Sequence, residues 1–141
     1  MTAAVSSYEG LPPPGITKKS LKKFLLGRQA LAVAFVAETR GQLIGHVLAT
    51  KSLDMQSGAT FRWIADLYVE PGWRRKQVGR ALMAEVAKLA IQEGSAHISW
   101  LLAPDNRSAI AFYKKIGARR DRGVAMFIHA KGIKSLAESH T

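Results

Sequence analysis

The chain has 141 residues, 48% of them hydrophobic and 22% charged, a balance that suits one globular domain able to bury its own core. It contains no cysteine, which excludes disulfides, thiolate metal ligands and a cysteine nucleophile. Its formal charge of +11 points to anionic partners, whether nucleic acid, acidic lipid or phosphorylated small molecules.

Residues 1–16 read as an extended arm, because Pro12, Pro13 and Pro14 forbid a helix and favour polyproline geometry. A single domain is expected over 17–141. It opens with a helix over 17–28, in which Leu21, Phe24 and Leu25 share a face and Lys18, Lys19, Lys22 and Lys23 fall elsewhere. Two β-rich runs then flank Thr39-Arg40-Gly41, the glycine supplying the positive φ of a short hairpin. KSLDMQSGA (51–59) reads as a polar connector, and FRWIADLYV (61–69) as a strand stopped by Pro71. Val78, Leu82, Val86 and Leu89 keep helical register up to a cap at Gly94. HISWLLA (97–103) is apolar enough for a strand covered on both faces. A helix over 107–116 follows, with Asn106 as N-cap and Gly117 as stop, and GVAMFIHA (123–130) reads as a last strand. The tail from Lys131 is weakly patterned. A helix between strands 61–69 and 97–103 favours a parallel crossover, whereas the hairpin demands antiparallel pairing. The expected fold class is therefore α/β (α+β): a mixed sheet flanked by helices.

The segment VEPGWRRKQVGRALMAEV (69–86) sets Arg74, Arg75 and Lys76 just ahead of a helix start, where the macrodipole disfavours cations. A compact anion removes that conflict. A strand running through a glycine-containing turn into a helix exposes unpaired backbone amides, and Arg80 adds a further cation. The segment is neither a Walker phosphate loop nor a GxGxxG dinucleotide fingerprint. It resembles the pyrophosphate loop of the GNAT superfamily of acetyl-CoA-dependent N-acetyltransferases, Arg/Gln-x-x-Gly-x-Gly/Ala after a strand ending Val-x-Pro. Val69-Glu70-Pro71 ends the strand, Arg74 opens the motif and Gly79 closes it, while Gln77 stands where the family has its first glycine. A second stretch, NRSAIAFYKKIGA (106–118), is similar to the family's later motif N-x-x-A-x-x-F-Y-x-x-x-G-F/A. The resemblance covers about residues 31–130 and fades before them, implying a strongly twisted GNAT-like sheet with a shortened N-terminal part.

What the resemblance implies is specific. Leu67, Tyr68 and Val69 would pair with the pantetheine arm of acetyl-CoA. Arg74, Arg75, Lys76, Gln77, Val78, Gly79 and Arg80 would hold the pyrophosphate. Asn106, Ala109, Phe112, Tyr113 and Lys115 would touch the rest of the cofactor. Tyr113 occupies the family's general-acid position. An alkylammonium at pKa ~10.4 is less than about one part in a thousand neutral at pH 7, so a base must take its proton. Asp66 and Glu70 are the candidates, and Asp66 interrupts an apolar strand; its alternative role is an ion pair with Arg62. The acceptor is expected to be a primary amine on a small molecule.

Other readings differ in class. A protein-directed acetyltransferase acts on a lysine or a chain N-terminus. A CoA-binding or nucleic-acid-binding module would lack turnover, and no helix-turn-helix, RRM or zinc motif supports the latter. His46, His97, His129 and His140 show neither HxH nor HExxH spacing and read as strand or tail residues, so no metal is expected. With neither a signal pattern nor an apolar run of spanning length, the expected location is cytoplasmic and off the membrane. A homodimer through a terminal strand or the tail is compatible with the sequence.

Overall fold

The computed structural model describes residues 17–139, so the expected arm over 1–16 lies outside it. The elements are α1 (Lys18–Leu26), β1 (Ala32–Thr39), β2 (Gln42–Asp54), β3 (Ala59–Val69), a 3-10 turn (Pro71–Trp73), α2 (Val78–Glu93), β4 (Ile98–Ser99), α3 (Arg107–Lys115) and α4 (Ala130–Glu138). They fall into two compact units divided between Ala103 and Pro104. The first holds a four-stranded sheet in the order β1-β2-β3-β4, antiparallel except for the β3–β4 pair. This is the mixed sheet that the sequence implies.

Local chemistry explains the starts and stops. Thr17 and Ser20 form a reciprocal capping box on α1, each side chain bonding the other's backbone amide at 3.1 and 2.8 Å. The first hairpin turns through Arg40 and Gly41, both at positive φ. Residues 51–59 are not a connector. They complete β2 and turn directly into β3, because Asp54 organises the bend: its carboxylate accepts from the Gln56 amide at 3.1 Å and the Ser57 hydroxyl at 2.6 Å.

Cross-strand register assigns the two sheet faces. Gly45, Val47 and Ala49 of β2 share a face with Val69, Leu67 and Ile64 of β3, and α2 packs there. Leu82, Met83, Val86 and Ala90 are buried with Val47, Ala49 and Ile64. At the far end of α2, the buried Arg62 side chain reaches Glu93: Nε lies 3.0 Å from Oε2, and Nη2 contacts Oε1. A Cβ on Gly45 would lie 2.9 Å from the Tyr68 carbonyl oxygen and within 3.3 Å of Val78 and Leu82. Gly45→Ala is therefore expected to lower stability by about 1–3 kcal/mol. The shift in urea midpoint measures it.

Two expected strands change. Over 97–103 only Ile98 and Ser99 pair, opposite Arg62 and Trp63, and Leu101 is exposed. The cause lies in β3, where a bulge described below ends the parallel ladder. The apolar run 123–130 forms no strand, since no ladder partner meets it among the described residues, and Val124, Met126, Phe127 and Ile128 are exposed. The tail becomes a helix instead. Ile133, Leu136 and Ala137 recur at helical spacing in α4, and Lys134 sits 3.9 Å from Glu138 one turn on.

Candidate active site

The site in the first unit begins with an irregularity in β3. Leu48 faces Asp66, but the next residue of β2, Ala49, faces Ile64, so Ala65 is an extra residue. Such a bulge reverses the alternation of the strand beyond it. Before it, Arg62 donates its amide to His97 beside β4, at 3.1 Å. After it, Glu70 donates its amide to Ile44 on β2, at 2.8 Å. By strand alternation Leu67 and Val69 then turn their backbone groups away from β2, on the side where the β4 ladder has stopped. The Tyr68 backbone faces β2 and its side chain is buried. Of the three strand residues expected to meet pantetheine, Leu67 and Val69 thus offer backbone groups to the open edge.

The bulge also corrects the alternative pairing of Asp66. Arg62 and Asp66 are four residues apart and would share a face of a regular strand. The extra residue separates them, sending Arg62 to Glu93 on the α2 side. Asp66 instead meets His46 of β2, with Oδ2 2.6 Å from Nε2 and both side chains largely buried. The same face carries Tyr68, whose ring centroid lies 5.9 Å from that of His46. Its hydroxyl donates to Glu70 Oε2 at 3.3 Å. Burial, and then the Glu70 carboxylate, pushes the Tyr68 phenol above its ordinary pKa, so it stays protonated throughout the neutral range.

The expected phosphate loop follows. Arg74 is anchored, its Nε donating to the Val69 carbonyl at 3.0 Å and its guanidinium lying 5.8 Å from the Tyr68 ring centre. Lys76 lies over Trp73 at 5.2 Å, while the Arg75 and Arg80 side chains are exposed. Arg75 and Gln77 both adopt left-handed backbone, with φ of 61° and 67°. Gln77 is the N-cap of α2, yet no side chain caps the helix and its first turn holds no acidic residue. Val78, Gly79 and Arg80 follow at the N-terminal turn of α2. A helix entered this way turns amides and positive dipole outward, a fitting cradle for a diphosphate.

The second unit carries the later group. Asn106 caps α3, its side-chain oxygen accepting from the Ala109 amide at 3.2 Å. Phe112 and Tyr113 are half-buried, their ring centroids 5.0 Å apart, and Lys115 is exposed on the last turn. Among the described residues no group of three or more His, Asp or Glu side chains is placed to hold a metal. No described helix is long and apolar enough to cross a membrane.

A model of the acetyltransferase (GNAT) family matches residues 6–118. The chain belongs to the GNAT family. The match starts well before residue 31 and stops short of the apolar run at 123–130, so the family pattern reaches further toward the N-terminus than the two motifs alone suggest. L-ornithine N5-acetyltransferase NATA1 of Arabidopsis thaliana is 35% identical over 57 residues, which is 40% of this chain and 25% of that protein. The chain thus spans about a quarter of that curated relative. Among solved structures, an integron cassette protein from the mobile metagenome of V. cholerae superposes with a TM-score of 0.80, at 22% identity over 97% of this chain and 87% of that one. An aminoglycoside acetyltransferase from an uncultured soil metagenomic sample gives 0.73, at 20% identity over 90% and 81%. The fold is that of GNAT proteins.

Within that family pattern, Gln77 holds the backbone conformation that suits the usual glycine despite its side chain. An L-residue pays roughly 1–2 kcal/mol for this conformation. Gln77→Gly should therefore be more stable than Gln77→Ala by about 1 kcal/mol. Thermal melts of the two variants compare them directly. His46 is the residue beside the candidate site that sequence reasoning passed over. Its signal was an ionisable residue inside an apolar strand, matched across the second hairpin by another at Asp66.

Proposed function

We propose that the protein transfers the acetyl group of acetyl-CoA to a primary amine of a small molecule, by direct attack and without a covalent enzyme intermediate. The observation that carries this reading is the continuity of the bulged, open edge of β3 with the uncapped start of α2. Backbone groups of Leu67 and Val69 suit the amide-rich pantetheine arm. Amides at Val78, Gly79 and Arg80, with the Arg75, Lys76 and Gln77 loop beside them and Arg74 fixed on Val69, suit the diphosphate. Asn106, Ala109, Phe112 and Lys115 would contact the remainder of the cofactor.

The residues then divide the chemistry. The ammonium loses its proton to the pair that Asp66 of β3 forms with His46 of β2. The free amine attacks the thioester carbon, while the Val69 amide hydrogen-bonds the oxygen that becomes negative. As the carbon–sulfur bond breaks, Tyr113 gives its phenolic proton to the leaving thiolate. The acceptor class rests on the partial likeness to a relative named for the N5 amine of ornithine.

The test is thiol release from acetyl-CoA over a panel of small amines, polyamines and peptides, with a melting scan in CoA alongside. Turnover confined to small primary amines is the expected result. Turnover only on peptides would move the acceptor to proteins, stabilisation by CoA without turnover would leave a binding module, and no response to either would overturn the reading.

A further inference from the structure

We infer that His46 is the immediate proton acceptor for the amine, and that Asp66 acts as a positioning residue holding its imidazole; this rests on the acetyltransferase reading above. The two side chains come from neighbouring strands and meet at 2.6 Å, Nε2 to Oδ2, on the sheet face opposite α2. An ionised carboxylate only accepts hydrogen bonds, so the proton in this contact sits on Nε2. The neutral imidazole then carries its basic lone pair on Nδ1. Among the described residues Nδ1 has no hydrogen-bond partner, and no buried side-chain nitrogen or oxygen is left without one. Nδ1 therefore reaches the accessible surface, although the residue as a whole is only 8% exposed.

Position and chemistry agree. Asp66 is adjacent in sequence to Leu67, the first residue whose backbone turns to the open edge, so the pair stands at the start of the proposed pantetheine track. In the proton transfer, a hydrogen leaves the ammonium nitrogen for Nδ1 and the amine keeps the electron pair. The resulting imidazolium is stabilised by the Asp66 carboxylate through Nε2–H. Among the described residues of the first unit, the ionisable groups that contacts link to this side are Tyr68, beside the imidazole, and beyond it Glu70 and Arg74. On β1 the residue opposite His46 is Val36, which brings no charge. Histidine is the side chain most often used to take a proton in a transition state.

The experiment measures kcat/KM against pH with the best amine of the panel, for the unaltered protein, His46→Gln and Asp66→Asn. The expected result is an acid limb that is lost in His46→Gln together with about a hundredfold of kcat/KM at neutral pH, and an unchanged acetyl-CoA KM. Asp66→Asn should lower kcat/KM less than His46→Gln does and leave the acetyl-CoA KM unchanged, because the imidazole stays but loses the partner that orients it. An unaltered limb in His46→Gln would overturn the inference while leaving the acetyltransferase intact; absence of turnover in the unaltered protein would overturn both. Nitrogen-15 shifts of the His46 ring give a readout that needs no variant. The neutral ring should be the Nε2–H tautomer, and an Nδ1–H tautomer would contradict the assignment.

Discussion

Replacing Glu93 by Ala is expected to cost about 3–5 kcal/mol of folding stability, because it strands the Arg62 guanidinium among buried residues. Arg62 is 5% exposed and forks onto both Glu93 oxygens, with a third bond from Nη1 to the Ala49 carbonyl at 3.4 Å. Lys51, 3.6 Å from Glu93 and half-exposed, is itself a cation and cannot replace the lost carboxylate. A paired replacement, Arg62→Met with Glu93→Leu, should recover most of the loss, since neither charge is then left buried alone. The same ion pair sets an acid sensitivity. The hydrogen bond from Arg62 holds the Glu93 carboxyl below its ordinary range, against the opposing effect of burial. A carboxyl with a lower pKa in the folded state contributes its stability fully above the unfolded value of about 4.3, and loses it as pH falls through the folded one. Urea unfolding of the parent from pH 7 to pH 3 should therefore show a decline that is shallower in Glu93→Gln, where only the Asp54 carboxyl, also held low by its hydrogen bonds, still contributes.

Replacing Tyr113 by Phe should lower kcat by about a hundredfold or more and leave the acetyl-CoA KM little changed. Only the hydroxyl is removed. The aromatic ring, 5.0 Å from Phe112 within α3, keeps its packing. A fall in kcat without a change in KM is the signature of a group that acts in the transition state rather than in binding. Thiol release under saturating acetyl-CoA measures it. Full kcat in the variant would remove Tyr113 from the proton path.

How much of this was legible in the sequence depends on how local each signal is. The starts of α2 and α3 and the Gly94 stop were readable, because Asn106, Gly94 and the Val78 register act within a turn or two of themselves. The mixed sheet was readable for a similar reason, since a hairpin and a helical crossover each dictate their pairing. The bulge at Ala65 was not, because it exists only as a mismatch between β2 and β3. The alternative pairing of Asp66 with Arg62 fails because of it. With period two maintained, Arg62 and Asp66 look like neighbours; with one residue inserted, Asp66 belongs to His46 and Arg62 to Glu93. The run at 123–130 shows the converse limit: Val124, Met126, Phe127 and Ile128 have strand composition, but a strand needs a ladder that no pattern within the run supplies.

The geometry also gives the Gln77 departure a physical meaning. The left-handed turn persists with a side chain in place of glycine, because Arg74, tied to Val69, and the α2 core, tied to Gly45, hold both ends of the loop. The amides at the helix start do not depend on which side chain stands at 77.

The most direct test of the whole account is electron density for CoA bound to the crystallised protein. The expected result is diphosphate oxygens about 2.7–3.2 Å from the amide nitrogens of Val78, Gly79 and Arg80, with the pantetheine chain lying along Leu67 and Val69. A diphosphate bound anywhere else, with the N-terminal turn of α2 bare, would contradict it.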